Sequence, residues 1–188
     1  PIPGATNASY TIGAVATTDS GAYTVVVTNG CGSATSNAAT LTVDEAPAIT
    51  GQPADQTICA GQGVTFSVTA TGTAPLTYQW SFNGTPIPGA TNASYSIGAV
   101  ATTDGGAYTV VVTNSCGSAT SNAATLTVDE APAITGQPAD QTICAGQGVT
   151  FAVTATGTAP LTYQWSFNGT PIPGATNASY TIGAVATT

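Results

Sequence analysis

The stretch Asp104–Asn122, DGGAYTVVVTNSCGSATSN, decides how the rest of the chain is read. From Tyr108 every second residue is large and apolar: Tyr108, Val110, Val112. Residues two apart on a strand share a face, so AYTVVVT predicts a strand with one face buried. The β-branched valines and threonines suit a pleated surface. Asn114-Ser115-Cys116-Gly117 then supplies turn residues. NAATLTV, ending at Val128, resumes the alternation with Ala124, Leu126 and Val128 inward.

The same reading extends upstream. PAITGQPADQTIC, 47–59, reads as a first strand split in two. GVTFSVTATG puts Val64, Phe66 and Val68 on one face, LTYQWSF puts Tyr78 and Trp80 inward, and ASYSIGAV puts Tyr95 and Ile97 inward. Asn83-Gly84 between two such runs is a hairpin signal. Many short strands punctuated by Gly, Pro and Asn define an all-β chain.

Self-comparison sets the organisation. PIPGATNASY occurs at Pro1, Pro86 and Pro171, so the chain repeats itself every ~85 residues. Copies one period apart differ only at Thr11/Ser96, Ser20/Gly105, Gly30/Ser115, Ser67/Ala152 and Ser96/Thr181. TVDEAPAI marks the boundary, so the expected segments are 1–44, the C-terminal part of a repeat; 45–129, a whole repeat; and 130–188, the N-terminal part of a repeat. The linker is almost absent, which restricts motion between neighbours. A chain that starts and stops in mid-repeat is expected to be a window from a longer array. The other reading is that one copy's tail completes the next copy's head.

Composition excludes several functions. The chain has no Lys, Arg or His, and eight acids give a net charge of −8. Nothing can neutralise phosphates, which argues against nucleic acid and anionic membrane surfaces as partners. No apolar run reaches the length of a membrane span, so membrane insertion is not expected. Without histidine or lysine, the usual general bases and imidazole ligands are missing. Glycosidase chemistry needs two convergent carboxylates, and none are expected within one repeat. The chain is therefore read as non-catalytic.

Trp80, then DGGAY, then TNSCGSATSNAATLTV resembles a tandem immunoglobulin-like domain of the intermediate type. More narrowly, it resembles the Thr-rich immunoglobulin-like repeats of large secreted bacterial surface proteins. The likeness spans the whole chain and implies tandem β-sandwich repeats of ~85 residues. It makes Trp80 the core tryptophan and Tyr108 the tyrosine of the tyrosine corner. It also puts Val68 and Val110 where the inter-sheet disulfide usually sits, so that cross-link is lost.

The cysteines are Cys31, Cys59, Cys116 and Cys144. The intervals from Cys31 to Cys59 and from Cys116 to Cys144 are both 28 residues, and that from Cys59 to Cys116 is 57. They form no CxxC pattern, and disulfides would require an oxidising setting. A Cys59–Cys116 bond would close a long loop, stabilising by about 4 kcal/mol in the chain-entropy model. In the implied fold, however, Cys59 belongs to the C-terminal pole and Cys116 to the N-terminal pole, about 20 Å apart along a strand. A disulfide needs Cα atoms within about 7 Å. Three readings stay open: a bond between the Cys59 position and the Cys116 position of the following repeat, along one chain or between chains; the within-repeat pair; and free buried thiols.

Asp44, Glu45, Asp129 and Glu130 sit at the repeat boundaries. They are weak candidates for Ca²⁺, which wants six to eight oxygen ligands, and a solvated junction is the plainer reading. Asp19 and Asp104 precede the tyrosine corner and are expected to accept turn amides. Asn7, Asn83, Asn92, Asn168 and Asn177 fit the N-glycan acceptor pattern, whose specificity is low. The expected role is a structural segment of an extracellular or cell-surface filament, self-associating with identical copies and reinforced by disulfides. The alternative is the stalk of an adhesin that displays a distinct terminal domain.

Overall fold

The computed structural model describes residues 1–184; residues 185–188, the end of the third expected segment, lie outside the described residues. The first segment carries β1 (Gly21–Tyr23), β2 (Val26–Asn29), β3 (Gly32–Thr35) and β4 (Ala39–Leu41). The central one carries β5 (Ala48–Gly51), β6 (Gln56–Cys59), β7 (Val64–Ser67), β8 (Thr69–Thr71), β9 (Thr77–Phe82), β10 (Thr85–Pro86), β11 (Ser94–Ile97), β12 (Gly106–Asn114), β13 (Gly117–Thr120) and β14 (Ala124–Asp129). The third carries β15 (Ala133–Gly136), β16 (Val149–Ala152), β17 (Thr154–Thr156), β18 (Ser166–Phe167), β19 (Thr170–Pro171) and β20 (Ser179–Ile182). Apart from strands, the only regular elements among the described residues are two single 3₁₀ turns, Thr17–Asp19 and Thr102–Asp104.

Six strands form one sheet, ordered β10-β9-β12-β14-β6, with β13 beside β12. β12 runs antiparallel to β9, with Val110 opposite Trp80. β14 runs parallel to β6, with Asp129 opposite Cys59. β5 pairs with β8 and β7 with β11. The same pairings recur one period on, as β15 with β17 and β16 with β20.

Cα packing divides the chain into two compact units. The first comprises Pro1–Pro53, Phe66–Tyr95 and Tyr108–Ala123. Its core is aromatic: Phe66 stacks on Tyr108 with centroids 4.6 Å apart, and Trp80, Phe82 and Tyr95 close around them. Trp80, Phe66, Val110 and Val112 are fully or nearly fully buried. The Trp80 indole N–H donates to the Asn92 carbonyl at 2.9 Å, so burial leaves no orphaned donor. The second unit comprises Ala54–Thr65, Ser96–Ala107 and Ala124–Thr188. Within it Val64, Val100, Ala124, Leu126 and Val149 are buried.

The alternation read from sequence places the inward residues correctly: Val64, Phe66, Val68, Trp80, Tyr108, Val110, Val112, Ala124 and Leu126 are all buried. Tyr78, Tyr95, Ile97 and Val128 reach only half-burial; each lies at or next to the end of its strand, and Tyr78 and Val128 share theirs with the buried Trp80 and Leu126. The last strand of the central segment is split, since Ser121–Ala123 leave the ladder between β13 and β14. The Ser121 hydroxyl fills the gap, accepting from Val110 N at 3.0 Å and donating to the Asn122 carbonyl at 2.8 Å.

Candidate functional site

The residues with most to say about function lie at the two boundaries between segments. At the first, the Glu45 N–H donates to the Thr73 hydroxyl at 2.8 Å, and the Thr73 N–H returns to the Glu45 carbonyl at 3.1 Å. The Asn114 amide nitrogen donates to the same Glu45 carbonyl at 2.7 Å and to the Thr73 carbonyl at 2.9 Å. Its oxygen accepts the Cys116 N–H at 2.9 Å. One side chain thus ties the Cys116 turn to the first residue of the central segment.

The second boundary repeats the first clasp. Glu130 N–H donates to the Thr158 hydroxyl at 2.7 Å, and Thr158 N–H donates to the Glu130 carbonyl at 3.0 Å. The preceding residue, Asp129, is the last of β14, and its carbonyl takes the Ala60 N–H at 2.8 Å. Consecutive residues are therefore each held by a different hydrogen-bonded partner. The sequence did not single out Thr73, Thr158 or Asn114; nearly every residue recurs one period on, so recurrence does not mark them.

Asp44, Glu45 and Glu130 are exposed and Asp129 is half-buried. Among the described residues no group of three or more His, Cys, Asp or Glu comes together. Asp19 and Asp104 act as read: each carboxylate accepts a backbone N–H three residues back, from Ala16 and Ala101, at 2.8 Å. Tyr23, one period before Tyr108, donates its hydroxyl to the Asp19 carbonyl at 2.6 Å, which is the tyrosine-corner bond. Val68 and Val110 are both buried, 6% and 0% exposed.

Cys31, Cys59, Cys116 and Cys144 are all exposed and no two of them are bonded, so the reading of buried free thiols is corrected and the Cys59–Cys116 pair does not form. The physical reason lies in their anchoring. Cys59 ends β6 beside Asp129, the last residue of the central segment, while the Cys116 turn is tied to Glu45, its first. The glycan-pattern asparagines, Asn7, Asn83, Asn92, Asn168 and Asn177, are exposed. Asn83 and Asn168 occupy hairpin tips at φ of 47° and 48°, a conformation asparagine tolerates better than most residues.

Residues 46–114 match the protein family described as Immunoglobulin domain. The I-band fragment I67-I69 from titin superposes with a TM-score of 0.71 at 21% identity, covering 91% of this chain and 66% of that one. The fold is immunoglobulin-like. Endoglucanase C of Cellulomonas fimi is 34% identical over 150 residues, covering 74% of this chain and 14% of that protein. Protein sax-3 of Caenorhabditis elegans is 32% identical over 157 residues, covering 80% and 12%. The basement membrane-specific heparan sulfate proteoglycan core protein of Mus musculus is 33% identical over 176 residues, covering 89% and 5%. This immunoglobulin-like chain thus spans a seventh or less of these three relatives. Among the described residues no helix is long and apolar enough to cross a membrane.

Proposed function

We propose that the chain is a structural, non-catalytic segment of an extracellular rod or filament built from near-identical immunoglobulin-like repeats of ~85 residues. Its segments are 1–44, 45–129 and 130–188, the middle one a complete repeat. The observation that carries this reading is the boundary without a linker. Asp129 is held by the strand it ends, and Glu130 is held by Thr158. Two consecutive anchored residues leave no slack, so a string of such units transmits direction from one to the next. Near-identity makes every boundary equivalent, and repeated equivalent contacts that do not close produce a fibre.

An extracellular setting is supported by the basement membrane relative. It also supplies the oxidising conditions under which exposed cysteines form disulfides. The relatives' small covered fractions favour a second reading, a spacer that displays a distinct terminal domain, as in an adhesin stalk.

Electron microscopy of native material tests the choice. Unbranched fibres of regular pitch, made of this repeat alone, are expected for a filament. Isolated stalks with a distinct tip would select the spacer. Compact particles with no elongated form would overturn both.

A further inference from the structure

We propose that the two cysteines of each period pair across the boundary between successive repeats: the Cys59 position of one repeat bonds to the Cys116 position of the next along the same chain. This rests on the reading of the chain as a rod of stacked repeats. On the leaving side of the boundary, Cys59 is registered with Asp129 in the parallel β6–β14 pair. Adjacent strands lie about 4.8 Å apart, so Cys59 flanks Asp129 directly. On the entering side, the Cys116 backbone N–H and the Glu45 carbonyl bind one and the same carboxamide, that of Asn114. A methyl group built on the neighbouring Gly117 would lie 4.0 Å from the Ala46 side chain, so the Cys116 turn rests against the start of its repeat.

The next repeat starts in the same way. Glu130 and Thr158 reproduce the Glu45–Thr73 clasp bond for bond. The turn corresponding to Cys116 therefore belongs beside Glu130, with its cysteine at position 201 in the same period. Asp129 and Glu130 are consecutive, with Cα atoms about 3.8 Å apart. One cysteine flanks the first of these residues, and its partner flanks the second. All four thiols in residues 1–188 are exposed and unpaired, as this pairing requires: each one's partner carries a number below 1 or above 188.

The step is a thiol–disulfide exchange. Two thiols lose two protons and two electrons and form one S–S bond. A small-molecule disulfide such as oxidised glutathione accepts them and leaves as two thiols. The bond would add a covalent cross-link to the hydrogen-bonded clasp at each boundary.

The test is the full chain extended at its C-terminus by one more copy of residues 104–188, which places a cysteine at position 201. After folding in a glutathione redox buffer, free thiols are alkylated and counted by intact mass. The proposal expects four of the six thiols to be alkylated and one bond within the chain. That bond is lost in Cys59→Ser and kept in Cys144→Ser, both substitutions at exposed positions. Six alkylated thiols in a folded chain, a bond surviving Cys59→Ser, or bonds found only between chains would each overturn it. Small-angle X-ray scattering of the same protein under reductant separates this from the rod reading. An elongated particle with no bond leaves the rod standing and removes the lock; a collapsed, flexible one removes the rod.

Discussion

The chain contains its own control for the energetics of its core. Val110 and Val25 occupy the same place in the same heptapeptide, AYTVVVT, one period apart. Val110 is fully buried opposite Trp80, whereas Val25 is 50% exposed. Truncation of Val110 to alanine removes two carbons from a filled space. At about 0.8 kcal/mol per buried carbon this costs about 1.6 kcal/mol in transfer alone. The cavity left beside Trp80 raises the loss to about 2–3 kcal/mol. At Val25 the same truncation is an exposed substitution and is expected within about 0.5 kcal/mol of neutral. Strand propensity changes identically at both sites, so the difference isolates burial. Urea unfolding followed by tryptophan fluorescence reads it. With a slope of about 1 kcal/mol per molar for a domain of this size, Val110→Ala lowers the midpoint by about 2 M. Val25→Ala leaves it nearly unmoved. Equal shifts in the two variants would refute the burial argument and with it the placement of the core.

Further outcomes follow from single contacts. Trp80→Phe removes the N–H that satisfies the Asn92 carbonyl, and is expected to cost about 1–3 kcal/mol in the same assay. Asn114→Ala breaks bonds to Glu45, Thr73 and Cys116 together and should cost about 2–3 kcal/mol, whereas Asn29→Ala, which loses one turn bond to Cys31, should cost about 1 kcal/mol or less. Thr158→Val deletes the hydroxyl that anchors Glu130, so hydrogen exchange at the Glu130 amide should accelerate while that of Val110 stays slow.

Much of the fold was legible because the relevant signals are local. Alternation at Tyr108, Val110 and Val112 named an inward face, and that face is the buried one. Asn83-Gly84 named a hairpin, and it joins β9 to β10. Asp19 and Asp104 were read as acceptors of turn amides, and both accept one. The boundary site was only half legible. The repeated Asp-Glu drew attention to Glu45, but its bonds run to Thr73 and Asn114, which lie 28 and 69 residues away. No local pattern connects residues so far apart.

Sequence alone determined which residues alternate, where the turns fall, and that one unit recurs from Pro1 to Pro86 to Pro171 with no cation in it. Only the tertiary structure decided which distant residues meet. Gln56–Cys59 is a strand because β14 lies beside it, its residues Leu126–Asp129 registered one for one with Gln56–Cys59. Trp80 is wholly buried because Phe66, Tyr95 and Val110, from three other stretches of the chain, close on it. A strand's hydrogen bonds and a core's exclusion of water are supplied by partners distant in the chain, and no local pattern names them.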